Sequence, residues 1–286
     1  MNLNFWLIQA FNGISYGALL FLVGSGLSLI FGVMRIVNLA HGSYFMLGGY
    51  VALTVIWTTG SWLLAIPVAA ATIALVGLVM ERVFLRPLGF DPLRQVLLTV
   101  GFAFLFQQAA LDLWTGNNFD IVPPAVLSQS VPIGGLFLPL YRIFMIAVAL
   151  VIGLTLWLVM ENTRIGAQVR ATVDDAEMAR GIGIDTSRIS MMIFALGAFL
   201  AALGGVIGGA FLGIYPGLDF EMLPIAFAVV IIGGMGSLGG AAIGALLVGL
   251  ADNFGKALFP EISYFTLYAP MALILAVRPT GLFGRD

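Results

Sequence analysis

The stretch Met222–Ala251, MLPIAFAVVIIGGMGSLGGAAIGALLVGLA, decides how this chain is threaded. A helix needs roughly 20 apolar residues to cross a hydrocarbon core, and this stretch is about half as long again. It is interrupted at its middle by Gly233-Gly234-Met235-Gly236-Ser237-Leu238-Gly239-Gly240. Irregular backbone at membrane depth is tolerated only where protein or a water-filled cavity covers it. Interrupted spans therefore mark candidate pathways, which singles out Gly233, Gly234 and Ser237. Two threadings are open. The segment crosses straight, or it enters from one side, turns at the glycines and returns to the same side.

The rest of the chain sets the context. Of 286 residues, 61% are hydrophobic and 9% charged. The mean hydropathy is +1.09. Soluble domains carry about 25% charged residues, so the main solvent here is lipid. Apolar segments fall at about 8–33, 39–58, 62–83, 95–114, 140–160, 190–212, 222–251 and 262–277. They are continuous rather than alternating, which excludes a membrane β-barrel. The fold class is an all-α polytopic membrane protein with about eight hydrophobic segments, forming a single transmembrane domain over 1–286.

Charge then orients the bundle. Arg82, Arg86 and Arg94 lie in one gap, and Arg164, Arg170, Arg180 and Arg188 in another. The positive-inside rule puts both gaps in the cytoplasm. Counting back, the N-terminus is outside and the turn Arg35–His41 inside. Arg278 and Arg285 argue for a cytoplasmic C-terminus, which the hairpin threading of 222–251 delivers and the straight one does not. No basic residue precedes Arg35, so the first apolar run reads as a retained helix rather than a cleaved signal.

Other chemistry is thinly represented. There is no cysteine and one histidine, so thiolate chemistry and a His/Cys metal site are excluded. The net charge of −2 gives no case for nucleic acid. Gln107 and Gln108 are the best polar pair inside a span and join the pathway candidates. No acidic or basic residue falls at a recognisable span centre, which weakens a proton- or sodium-coupled mechanism. Asn38, His41 and Gly42 read as a structural turn on the cytoplasmic side, with Asn38 capping the second helix. Glycines four apart, such as Gly13 and Gly17, or Gly204 and Gly208, put small faces on helices and let backbones approach. The polar, proline-rich gap 116–139 is either an ordered connection or a docking surface on the outer face.

The segment at about 163–189 is the most charged. Asp174 and Glu177 form a D-x-x-E pattern, so Asp174 caps a short helix at 174–180 and Gly181 ends it in the left-handed conformation. Asp185 or Thr186 caps the span that follows. A two-turn helix is too short to stand alone in water, so it needs a surface to lean on.

Asp175-Ala176-Glu177-Met178-Ala179-Arg180-Gly181 resembles the E-A-A-x-x-x-G loop of bacterial ABC importer permeases, with Asp and Glu at two substituted positions. Taken with NLAHG at 38–42, GGMGSLGGAAIGALLVG at 233–249 and RPTGLFG at 278–284, the chain is similar to LivH-type permeases of branched-chain amino acid importers over nearly its whole length. The resemblance implies a multi-pass protein of the bacterial inner membrane that moves a small solute, a branched-chain or other amino acid. It implies partners: a second permease (LivM-type or a copy), two cytoplasmic ATPase subunits and an extracytoplasmic solute-binding protein. It also makes Arg170, Asp174, Asp175, Ala176, Glu177, Ala179 and Gly181 an ATPase-coupling surface. A P-loop needs G-x-x-x-x-G-K-[ST]; the single lysine, Lys256, is followed by Ala257, so ATP binding falls to the partners and this chain needs no cofactor. The competing reading is a stand-alone channel or secondary carrier for a small polar solute.

Overall fold

The computed structural model describes residues 2–89 and 91–284; Arg285, counted above among the terminal basic residues, lies outside them. Helix α1 (Leu3–Met34) is the axis of the bundle. After it come α2 (His41–Thr59), α3 (Trp62–Val79), α4 (Pro92–Trp114), α5 (Leu140–Asn162), α6 (Arg164–Asp174) and α7 (Ala176–Gly181). Then follow α8 (Thr186–Leu212), α9 (Leu218–Gly233), α10 (Leu238–Leu258) and α11 (Ser263–Val277). Among the described residues the only strands are β1 (Ser130–Ile133) and β2 (Leu136–Pro139). They form an antiparallel hairpin turned by Gly134 and Gly135, both at positive φ.

Glycines set how closely α1 is packed. Gly13 meets Leu250 and Gly249, Gly17 meets Ala245, Gly26 meets Gly197 and Gly32 meets Gly236, each against backbone. Lipid tails are as apolar as leucine, so helices in a membrane gain from close packing rather than from leaving water. The four-residue glycine spacing is used here for contacts within one chain. The register runs α10 antiparallel to α1, from Ser237 beside Ser28 to Leu250 beside Gly13. α8 is also antiparallel, with Gly197 near Gly26, Gly204 near Val23 and Gly208 near Leu19.

Among the described residues six helices are long and apolar enough to cross a membrane: α1, α3 with the π and 3₁₀ turns that extend it to Leu88, α4, α5, α8 and α10. The long seventh segment is a hairpin. α9 ends at Gly233, the chain turns through Gly234 and Gly236 at positive φ, and α10 returns. The turn lies beside Gly32, near the C-terminal end of α1, so α9 and α10 connect at the end of the bundle.

That end carries the arginine-rich gaps. Arg35, Glu161, Arg170, Asp174 and Thr280 border one groove there, and Arg82 reaches Met191 on α8. At the opposite end Arg142 bonds Asn12, Trp62 packs on Phe144, and Phe119 pairs with Ile214. The segregation of arginine inferred from the gaps is thus a property of the fold.

The Arg35–His41 turn departs from the reading given above. It is not a turn at the bundle's end. Arg35 adopts a left-handed conformation, and residues 36–40 run back alongside α1. His41 starts α2 fully buried, with its Nε2 3.0 Å from the Val23 carbonyl. Val23 lies about 16 Å of helix before Met34. Nor does Asn38 cap α2: its side chain accepts from the Ala40 amide, closing a turn one step earlier. The apolar residues Ile36, Val37, Leu39 and Ala40 suit a buried extended strand as well as a helix end, so pattern alone does not separate the two.

Gly17→Val tests the packing. The branched side chain would meet the Ala245 carbonyl, an overpacking cost of about 2 kcal/mol. We expect a lower unfolding midpoint in detergent, against no change for Gly101→Ala, whose site is open.

Candidate functional site

Two features at the arginine-rich end form the candidate site: the α6–α7 elbow and the groove beside it. Thr163 caps α6 by accepting from the Gly166 amide. Ile165, Val169 and Val173 recur every four residues, one apolar face of a helix. Val169 is buried with Leu29 of α1, Leu156 of α5 and Ile189 and Ile193 of α8. Arg170 bonds the Met160 carbonyl and lies 3.8 Å from Glu161, and Gly166 sits against the carbonyls of Val159 and Met160. α6 is therefore fastened to the end of α5. The spacing was visible in the sequence, but the charges between hid it.

The cap of α7 is Asp175, not Asp174. The Asp175 carboxylate accepts from the amides of Glu177 and Met178 at 2.9 Å each, while Asp174 is the last residue of α6. One residue of offset matters because α6 already uses Asp174. The left-handed residue is Gly183 rather than Gly181, which ends the helix in ordinary geometry. Asp185 caps α8 by accepting from the Arg188 amide. Ala179 is buried against the body, whereas Glu177, Arg180 and Gly181 are exposed. Met178 and Ile182 are 66% and 70% exposed, an unusual position for two large apolar side chains outside the lipid-facing helices. They make the outer face of α7 a surface suited to covering by another protein.

The groove has a volume of about 1180 Å³ and lies between α1, α5, α6 and α10. Phe21, Ala149, Leu154 and Leu246 give it an apolar wall, and Arg35, Glu161, Arg170 and Asp174 give it a charged mouth. Ser237 lines it, and its hydroxyl caps α10 by accepting from the Gly240 amide. Gly233 and Gly234 sit behind, in backbone contact with Gly240 and with Gly284. Gln107 and Gln108 are elsewhere, on the outward-facing α4. Gln107 lies beside Gly217, and Gln108 donates to Asp112 on the surface.

The sequence reading missed buried acids. Asp219, in the first turn of α9, is 2% exposed and accepts from Ser43 Oγ at 2.8 Å. Gly42 packs against its carbonyl, so the starts of α2 and α9 meet inside the bundle. Glu81 is buried in the turn that follows α3. Asp219 stands at the edge of an apolar segment with Gly217 before it, a helix-start signal that was available. No group of three or more metal-ligating side chains occurs among the described residues.

The chain is thus a bundle of apolar helices with a groove and a short exposed helix at one end, an architecture that suits a membrane permease. Residues 9–275 match the model of the family described as branched-chain amino acid transport system / permease component. The chain belongs to that family. It is 31% identical over 301 residues to the high-affinity branched-chain amino acid transport system permease protein LivH of Salmonella typhimurium, covering 98% of this chain and 96% of that one. It is 31% identical over 302 residues to the LivH of Escherichia coli K12, with the same shares covered. It is 29% identical over 296 residues to BraD of Pseudomonas aeruginosa, again with 98% and 96% covered. An autoinducer 2 import system permease protein, LsrC of Salmonella paratyphi B, is 32% identical over 168 residues, 55% of this chain and 46% of its own. The chain is accordingly a multi-pass transport permease.

The Asp175 cap is testable by hydrogen exchange. Replacing a capping Asp by Ala costs about 1 kcal/mol, which is about a fivefold change in the opening equilibrium. Asp175→Ala should speed exchange of the Glu177–Ile182 amides by that factor, and Asp174→Ala should do so less.

Proposed function

We propose that the chain is the permease subunit of an ATP-driven importer for a branched-chain amino acid or a close analogue. The arginine-rich end faces the cytoplasm, and the β1–β2 end faces outward. The observation that carries this reading is the α6–α7 elbow. A capped two-turn helix is anchored by Ala179 and presents Met178, Glu177 and Ile182 to the side where an ATPase would sit. Because α6 is fastened to α5, a push on α7 is passed to a helix that walls the groove. The LivH and BraD relatives named above, matched over nearly their full length, carry names of branched-chain amino acid transport, which supports the substrate class.

The groove supplies the other half. It is open along one side in the single chain. A second permease, a copy or a related chain, closes it into a path between two subunits. Its apolar wall suits the side chain of a branched-chain amino acid, and its charged mouth suits the ammonium and carboxylate. On the outer side Phe137 and Val122, each 76% exposed, lie with Ile133 on the β1–β2 hairpin and its approach. That apolar surface suits docking of an extracytoplasmic binding protein. ATP is held by the two cytoplasmic ATPase partners.

Reconstitution tests the reading. Co-expressed with the ATPase, second permease and binding-protein genes that neighbour its own, the chain should co-purify with the ATPase in mild detergent. In proteoliposomes it should take up leucine in proportion to ATP hydrolysed. Glu177→Lys should leave the bundle folded and reduce leucine taken up per ATP by about tenfold, the loss of one surface contact of about 1.4 kcal/mol. Uptake by this chain alone, without ATP, would overturn the proposal in favour of a channel or carrier.

A further inference from the structure

The motif RPTGLFG at 278–284 has a structural role that the transport reading leaves unassigned. After α11 the chain turns at Gly281, at positive φ, and runs back across the end of α9. The last turn of a helix leaves four carbonyls without helical partners. In α9 these belong to Val230, Ile231, Ile232 and Gly233. Val230 is satisfied within the break by the Gly234 amide. Ile232 accepts from the Leu282 amide and Gly233 from the Phe283 amide, each at 3.0 Å. A side chain at Gly281 would run into the Ile231 carbonyl, and one at Gly234 would run into Gly284. Residues 280–284 thus lie as a strap on the glycine break, with Leu282 packed against the core and Phe283 on the groove side.

The two sides of the groove are held differently. On the α10 side the contacts are backbone to backbone: Gly13 and Gly17 against Gly249 and Ala245, Gly32 against Gly236, and the strap against α9. On the α5 side the helix is bonded at its outer end, where Tyr141 donates to the Ile207 carbonyl and Arg142 to Asn12. Toward the arginine-rich end it rests on apolar side chains, such as Phe21 against Gly153. A glycine-rich break is ordinarily the natural hinge. Here three of its four free carbonyls, those of Val230, Ile232 and Gly233, accept hydrogen bonds, and its close approaches leave no slack.

We propose that Gly281, Leu282 and Phe283 are positioning residues that keep the glycine break closed throughout the transport cycle, so that it serves as a fixed wall of the groove and not as a gate. The inference rests on the transport reading for its consequence but not for its geometry. The amides of residues 282 and 283 do the holding, and glycine at 281 allows the approach.

The absence of native cysteine makes the test clean. Met235 and Phe283 are 46% and 49% exposed and both line the groove, one on the break and one on the strap. A Met235→Cys, Phe283→Cys chain, assembled with its partners in membranes, is treated with a short bis-methanethiosulfonate linker. A fixed strap gives the same linking yield with no nucleotide, with ATP and with ATP plus vanadate, and linked complexes take up solute at the unlinked rate. A yield that falls in one nucleotide state, or uptake lost on linking, overturns the proposal. Absence of uptake by the unsubstituted chain assembled with the same partners counts against the transport reading alone, and the yields still decide the strap. In a second variant, Leu282→Pro removes the amide donated to Ile232. Solute moved per ATP should fall about fivefold, the factor one hydrogen bond corresponds to, while Leu282→Met, which keeps the amide, restores it. Equal ratios in the two variants contradict the assignment.

Discussion

Everything in this bundle hangs on how closely other backbones approach α1. Five of its glycines sit opposite α8, α9, α10 or the break between the last two, mostly against backbone. In lipid there is no gain from hiding apolar surface, so contact quality decides which helices stay together. α1 is buried over most of its length, whereas α4 and α5 are buried on only one face. The fold therefore has a tightly joined half built on α1, α8, α9 and α10, with α5 and the α6–α7 elbow attached at the edge. The groove lies where these two kinds of attachment meet.

That asymmetry links structure to transport. In the proposed importer work enters at α7, which is too short to persist without support. Support comes from the Asp175 cap, from buried Ala179 and from the join to α6. α6 in turn is locked to α5 by Gly166 and Arg170 against the carbonyls of Val159 and Met160. The elbow is rigid within itself and lightly seated on the body. A partner that moves it moves one wall of the groove against another that glycine contacts hold still.

Much of this was legible in the sequence. Length and continuous apolar composition gave most segments to within a few residues, because a spanning helix leaves little freedom in composition, but the seventh segment runs on to Leu258. The break at 233–240 left a straight and a hairpin threading open, and the basic residues near the C-terminus favoured the hairpin that the structure has. The arginines marked one end. The misreadings share a cause. Asp174 and Asp175 are adjacent acids, and pattern does not say which one α6 consumes. Gly181 and Gly183 differ in φ, which depends on the turn and not on the residue type. Counting back from the arginine-rich gaps puts His41 in a turn at the end of the bundle, because the count takes each gap between apolar segments as a surface connection. The return of 36–40 is a tertiary feature, held by His41 against the Val23 carbonyl of α1 and by Thr99 Oγ1 accepting from the Leu39 amide. Asp219 and Glu81 lie at segment edges in the sequence but inside the packed chain, a distinction that one-dimensional hydropathy does not carry.

The central claim is that α1, α5, α6 and α10 form one wall of a water-filled solute path once the partners are assembled. Single cysteines in this cysteine-free chain test it directly. Leu150, Leu154 and Trp157 line the groove and are exposed, whereas Val151 lies outside it on the same helix and is 62% exposed. In the assembled importer a water-soluble thiol reagent should label the three groove positions, with protection by transported solute, and leave Val151→Cys unlabelled. Labelling of Val151→Cys at the same rate, or groove positions that stay unlabelled in every nucleotide state, would contradict the account.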